Sequence, residues 1–204
     1  MIHVVDYGLG NIQAFLTMYK KLGIDATRAC NEDQLTDVSK VILPGVGAFD
    51  HAMNLLNASG MRKRLEELVN CEQIPVLGVC VGMQILASSS EEGVCDGLSW
   101  VDANVCSFAN NPASSSLPMP HMGWNDVYPH SESGLFKGFS DDARFYFLHS
   151  YYFDCKDQSN RLASAEYGFN LCCAVQKDNI FGVQFHPEKS HHWGAMLLKN
   201  FAEL

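Results

Sequence analysis

The chain has 204 residues, 47% of them hydrophobic, which is enough to bury a sizeable core and suits one domain spanning 1–204. Lys and Arg total 14 against 23 Asp and Glu, a net charge of -9, and no basic run occurs; this argues against a nucleic-acid partner. No signal-peptide pattern and no span of membrane length is read, so no membrane association and a cytoplasmic location are expected, with the eight cysteines reduced.

Ile2 to Val5 reads as a first strand, with Asp6-Tyr7-Gly8-Leu9-Gly10-Asn11 as the loop at its carboxyl end. Ile12, Phe15, Leu16, Tyr19 and Leu22 recur at helical spacing before Gly23, giving a strand-loop-helix unit. Gly8 and Gly10 lack the third glycine of a dinucleotide fingerprint and any P-loop lysine, so the loop is read as a tight turn at a sheet edge, open to a partner. Ile24 to Cys30 suits a short strand, Asn31 to Ser39 a polar helix capped by Asn31, and Lys40 to Leu43 a buried strand. The strand breaks at Pro44-Gly45-Val46-Gly47-Ala48-Phe49. That turn is either an ordinary glycine-proline bend or a source of free N–H groups, at Val46 and Gly47, for an oxyanion. Asp50 to Asn70 predicts an amphipathic helix or helix pair broken near Ser59-Gly60. Repeated strand and helix units of this length imply a parallel sheet covered on both faces.

Ile74 to Val79 is a short apolar run that ends at one thiol between two glycines, Gly78-Val79-Cys80-Val81-Gly82, followed by the helix formers Met83 to Leu86. The G-x-C-x-G spelling fits a nucleophile elbow, in which a strained turn presents the sulfur beside a helix N-terminus. Taken alone it fits equally a buried cysteine in an ordinary strand-to-helix turn. Beyond it, Ser88 to Gly93 is a polar turn, Leu98 to Phe108 alternates as a strand, and Asn110 to Pro120 is loop-like. Phe145 to Phe153, Leu162 to Glu166, Cys172 to Gln176 and Asn179 to Phe185 read as strands of a mixed or antiparallel half, and a helix from about Gly194 to Leu204 closes the chain.

A reactive cysteine needs a base, and the base needs a group to orient it. Phe185-His186-Pro187-Glu188 supplies both: His186 ends an apolar strand, and Glu188 follows two residues later on the same side of an extended backbone. Cys80, His186 and Glu188 thus form a candidate triad for acyl transfer through a thioester, with the N–H of Val81 and one from Val46–Gly47 as the oxyanion hole. His191 and His192 adjoin each other without a nearby cysteine or carboxylate cluster, and no C-x-x-C pair occurs, so neither a metal nor any other cofactor is expected.

The G-V-C-V-G-M-Q elbow with F-H-P-E downstream resembles the class I, triad-type glutamine amidotransferases, which release ammonia from glutamine. Six further stretches, in order along the chain, are similar to those of the glutaminase subunits of imidazole glycerol phosphate synthases: residues 6–11, 44–49, 90–93, 120–125, 146–151 and 186–190. The resemblance implies a flavodoxin-like α/β fold, with a three-layer core and a mostly parallel sheet extended by antiparallel strands. It implies L-glutamine as substrate and a (β/α)8-barrel cyclase as partner, to which ammonia passes. It also implies that Gly47, Val81, Gln84, Ser150 and Tyr151 hold the glutamine, with Gln84, one helical turn after Cys80, offering its amide to the substrate's α-amino and carboxylate groups, and that Asn11, Trp124, Tyr146 and Lys189 lie at the subunit interface. Val81, Ala14 and His191-His192-Trp193-Gly194 depart from the usual spelling. The last is similar to paralogues that deliver ammonia for amidino-sugar formation, and a non-catalytic regulatory subunit of the same fold is the alternative of another class.

Overall fold

The computed structural model describes residues 1–114, 116–130, 133–140 and 142–204. β1 (Ile2–Val5) is buried along its whole length. It leads through the Asp6–Asn11 loop into α1 (Ile12–Leu22), whose N-terminus is capped by the Asn11 side chain accepting from the Ala14 N–H and whose C-terminus ends at Gly23 in the left-handed region. β2 (Ala26–Ala29) and β3 (Lys40–Gly45) follow. The polar helix expected over Asn31–Ser39 is only a single tight turn, Glu32–Gln34. Leu35 is its one neighbour buried in the core, and a segment with so little apolar surface cannot hold a full helix against the protein.

α2 (Phe49–Ala58) and α3 (Arg62–Glu66) are separated by a break at Ser59 and Gly60, as the sequence predicts, and a wide turn continues to Cys71. β4 (Val76–Cys80) is fully buried and ends on the thiol. The helix after it, α4 (Val81–Gln84), is one turn long, shorter than expected. The carbonyls of Ile85, Leu86 and Ala87, which would accept from a continuing helix, instead take the N–H groups of Leu98, Val101 and Ser99 at 2.8, 3.1 and 3.1 Å. A loop has captured the helix's own acceptors.

The second half contains β5 (Ser89–Ser90), β6 (Ala103–Ser107), β7 (His121–Asp126), β8 (Tyr128–Pro129), β9 (Arg144–His149), β10 (Tyr151–Cys155), β11 (Arg161–Glu166), β12 (Asn170–Lys177) and β13 (Ile180–Val183), then α5 (His191–Glu203). The main sheet runs β2-β1-β3-β4-β13-β12-β10-β6-β5, with β11 and β8 branching from β12. The first five are mutually parallel, and β12, β10 and β11 join in antiparallel. This five-strand order is that of flavodoxin-like sheets. The chain leaves β1 toward β2 and later steps the other way through β3 and β4, so right-handed crossovers put α1 and α2 on opposite faces. In agreement, α1 packs on α5 and α2 on α4.

The run Phe145–Phe153, read as one strand, is two. Ser150 separates β9, which pairs with β7 in a small two-stranded sheet, from β10, which belongs to the main sheet. That change of sheet places residues 148–151 across the mouth of the Cys80 turn.

Candidate active site

The register Gly45↔Cys80 between β3 and β4 brings the glycine turn beside the thiol. Cys80 has φ 57° and ψ -115°, a conformation that L-residues rarely adopt and that is retained where the surroundings enforce it. The flanking glycines show what enforces it. A Cβ on Gly82 would lie 1.8 Å from the Leu43 carbonyl oxygen, and one on Gly78 2.5 Å from the Gly82 oxygen. Only glycine permits the one-turn helix to sit this close to β3 and β4. Since α4 has a single turn, its dipole is slight.

His186 stands where β13 has run out. Its N–H donates to the Tyr146 carbonyl at 2.9 Å, and its own carbonyl accepts from Ser190 Oγ at 2.6 Å. Residues Pro187–Lys189 form a tight 3-10 turn with proline at its first position, not the extended segment expected; the φ that proline fixes is also a helical φ. The turn folds Glu188 back on the imidazole, with His186 Nδ1 2.9 Å from Glu188 Oε1 and both side chains nearly inaccessible, 3% and 4% exposed. Burial opposes a charge on His186, but Cys80 and then Glu188 outweigh it and raise its pKa to about 9. The ring therefore carries a proton at neutral pH, and its Nδ1–H donates to the carboxylate.

A cavity of about 310 Å³ opens over the thiol. Of the residues singled out in the sequence, Val46, Gly47, Cys80, Val81, Gln84, Ser150, Tyr151, His186 and Lys189 line it. Glu188 lies behind His186, and Asn11, Trp124 and Tyr146 are outside the cavity. Gln84 is more constrained than expected. Its Nε2 donates to the Tyr151 carbonyl at 3.3 Å and to Gln184 Oε1 at 3.0 Å, so only its carbonyl end remains for a ligand, which suits an ammonium donor and not a carboxylate. The Pro44–Phe49 turn is tied at both ends. Tyr7 Oη donates to the Pro44 carbonyl at 2.8 Å, and the Phe49 N–H donates to Glu92 Oε2 at 2.8 Å. Burial and the neighbouring Cys80 push the Tyr7 pKa up, which keeps that hydroxyl a donor. Gly47 between the ties has φ 95°.

Three polar residues at the site were not picked out individually in the sequence. Glu92 and His149 line the cavity; their stretches were read as a polar turn and as strand, and otherwise noted for resemblance. Gln184 is fully buried and directs Nε2 at Cys80 Sγ, 3.8 Å away. An amide inside the otherwise apolar run Ile180–Phe185 was the signal that could have found it. The eight cysteines are all free. Among the described residues, no group of three or more His, Cys, Asp or Glu side chains is placed to hold a metal, and no helix is long and apolar enough to cross a membrane.

An elbow cysteine at the carboxyl edge of a parallel sheet, beside a buried His–Glu pair, is an arrangement suited to an amidotransferase, and the family comparison agrees on the class: residues 3–204 match the model for glutamine amidotransferase class-I. The chain belongs to that family. Among full-length relatives, it is 59% identical over 204 residues, 100% of both chains, to the imidazole glycerol phosphate synthase subunit HisH of Bdellovibrio bacteriovorus. It is 50% identical, again over 100% of both, to the protein of that name from Leptospira interrogans, and 46% identical to imidazole glycerol phosphate synthase subunit HisH 2 of Pseudomonas aeruginosa, also over 100% of each. Among solved structures, a glutamine amidotransferase superposes with a TM-score of 0.75 at 19% identity, covering 99% of this chain and 97% of the other. PurLQS from Thermotoga maritima gives 0.73 at 16% identity with the same coverage. These two establish likeness of fold.

Proposed function

We propose that this chain, as one domain over 1–204, is the glutaminase subunit of an imidazole glycerol phosphate synthase in histidine biosynthesis, acting in the cytoplasm with a (β/α)8-barrel cyclase. One observation carries the reading: a thiol held in a strained elbow faces a buried, charge-favouring His186–Glu188 pair inside a cavity of amino-acid size. The full-length relatives named HisH supply the acceptor pathway.

In the reaction, Cys80 Sγ attacks the side-chain carbonyl carbon of glutamine as thiolate, and the charge that develops on oxygen meets the Val81 N–H and one from Val46–Gly47. Val81 is at the first position of its turn, where no intrahelical carbonyl can accept from it. His186 gives its proton to the departing nitrogen, the C–N bond breaks, and ammonia leaves a thioester. His186 then takes a proton from water, whose oxygen attacks the thioester carbon, and glutamate is released with Cys80 regenerated. Glu188 holds the ring with Nδ1 protonated throughout. Gln84 Oε1 accepts from the substrate's α-ammonium, and the Ser150–Tyr151 segment closes over its other end.

The cyclase docks on the outer face of the β7–β9 pair. There the cross-strand pairs Met122↔Leu148 and Trp124↔Tyr146 leave Met122, Trp124 and Leu148 exposed by 63%, 41% and 38%, an apolar patch of the kind that marks an interface. Trp124 stacks on His191 with rings 5.3 Å apart and 9° from parallel, and Lys189 Nζ lies 5.8 Å from the Tyr146 ring centre. Asn11, at the neighbouring loop, completes this face. Because the Pro44–Phe49 turn is fixed only at its ends, a partner can select the peptide orientation that aims an N–H at the oxyanion, and the isolated chain is expected to be nearly inactive.

The test is reconstitution with a histidine-pathway cyclase. Glutamine-dependent synthesis is expected, far faster glutamine hydrolysis in the complex than alone, and, for Cys80→Ala, loss of the glutamine reaction with ammonium-dependent synthesis retained. Equal hydrolysis with and without the cyclase refutes the gating. Glutamine hydrolysis without any ammonia reaching the cyclase refutes the pathway and favours an amidino-sugar acceptor instead.

A further inference from the structure

Two histidines are left unused by the mechanism: His149, which lines the cavity, and its partner His121. His121 and His149 are directly opposed across β7 and β9, only 4% and 6% exposed, with His121 Nδ1 2.9 Å from His149 Nε2. The direction of this contact is fixed by what lies at its ends. His149 Nδ1 is 2.7 Å from the Tyr151 carbonyl oxygen; a carbonyl only accepts, so Nδ1 carries the hydrogen. Burial, with lesser contributions from its neighbours, drives the His149 pKa down to about 3, and burial takes that of His121 to about 4, so both rings are neutral near pH 7. The Nε2 of His149 is then an acceptor, and His121 must donate from Nδ1. His121 Nε2 accepts in turn from Asn125 Nδ2 at 3.2 Å, while the same Nδ2 donates to the Glu166 carbonyl at 2.9 Å. Each hydrogen in the chain has one possible place.

The run continues to the nucleophile. Besides His149, the Tyr151 carbonyl accepts from Gln84 Nε2, which also donates to Gln184 Oε1; that pins the Gln184 amide so that its Nε2 faces Cys80 Sγ. His121 itself is clamped between Phe147 and Tyr167, ring centres 4.7 and 4.1 Å away and both near parallel. Its donor therefore has little freedom to turn elsewhere.

We propose that His121 and His149 are positioning residues of the glutaminase site: a one-way pair of neutral imidazoles that fixes the Ser150–Tyr151 main chain and, through it, the Gln84 and Gln184 amides around Cys80. The inference rests on the glutaminase reading and deepens it. The pair begins at Asn125, next to Trp124, so the residues that order the substrate segment are anchored in the strand that meets the partner.

Two variants separate this role from a structural one. His121→Phe keeps a flat ring between Phe147 and Tyr167 but removes the donor, leaving His149 Nε2 buried and unpaired. His121→Asn places an amide N–H near the former Nδ1. In the complex with the cyclase, His121→Phe is expected to raise KM for glutamine about tenfold, with kcat within about threefold of wild type, the size of effect that one unpaired buried acceptor produces. His121→Asn should recover most of that loss. Co-elution of each chain with the cyclase in size-exclusion chromatography, at equal stoichiometry in all three, reports that each has folded and assembled, and equal ammonium-dependent synthesis reports that the cyclase is intact. A loss of stability alone would lower kcat through the active fraction and leave KM unmoved. An unchanged KM in the Phe variant, or an Asn variant as impaired as the Phe one, overturns the inference while an active wild type keeps the glutaminase reading; an inactive wild-type complex overturns both. Nitrogen-15 spectra of the histidine-labelled wild-type chain near pH 7 test it without mutation: both rings should be neutral Nδ1–H tautomers, and a charged or Nε2–H His149 overturns it.

Discussion

Replacing Glu188 by Gln keeps the shape of the side chain and an oxygen facing His186 Nδ1, and removes the charge. His186 has a pKa of about 9 in the folded chain against an ordinary 6.5. The folded state thus holds this proton more tightly than the unfolded state does, and the stabilisation is complete below about pH 6.5, fades as the pH rises, and is gone above about pH 9. At about 1.4 kcal/mol for each pH unit between the two values, it amounts to ~3 kcal/mol. Cys80 supplies the first part of the favourable interaction and Glu188 the next, so the Gln variant forfeits roughly 1–2 kcal/mol near pH 6. Urea unfolding of wild type and variant at about pH 6, 8 and 10 measures this, because titrations common to both chains cancel in the difference. The gap between them should shrink toward zero by about pH 10, apart from a constant offset for the altered hydrogen bond. A gap that stays level or widens with pH would mean that His186 does not gain its proton affinity from Glu188.

The elbow makes two further claims on stability. Gly82→Ala should destabilise by about 2 kcal/mol or more, since its Cβ would fall 1.8 Å from backbone, and denaturant midpoints near the wild-type value would show that β3 can yield. Cys80→Gly should be more stable than Cys80→Ala by about 1 kcal/mol, because only glycine adopts φ 57° without strain, although both lose glutamine-dependent turnover; the reverse order in urea would argue that the turn relaxes around alanine.

What could be read from the sequence and what could not divide along one physical line. Signals set by a residue's own neighbours were legible: the helical spacing from Ile12 to Leu22, the break at Ser59–Gly60, the G-x-C-x-G spelling that sterics alone demands, and a histidine two residues from a carboxylate. Features decided by a distant segment were not. Residues 145–153 are uniformly suited to strand, and nothing in them tells that Ser150 changes sheets, because that depends on β7 and β6 competing for the same backbone. The helix after Cys80 was overextended for the same reason: residues 98–101 take its acceptors. Glu188 does lie against His186, as their closeness in sequence suggests, but through a tight turn and not the extended geometry expected, which proline's φ does not require.

The same division explains why His186 and His149 were unequal in the sequence and stand close together in the protein. Both line one cavity beside one thiol, and on position alone each is a candidate base. Their partners separate them. Burial opposes a proton on both rings; at His186 the Cys80 sulfur and the Glu188 carboxylate outweigh it, whereas at His149 the Tyr151 carbonyl alone does not, and the ring stays neutral. The contrast serves the chemistry, because a second imidazolium beside His186 would weaken its hold on the proton that the departing nitrogen needs. One local signal, a carboxylate two residues away, singled out His186; the neutral state of the neighbouring ring comes from its burial and, after that, from His121 opposite it on β7.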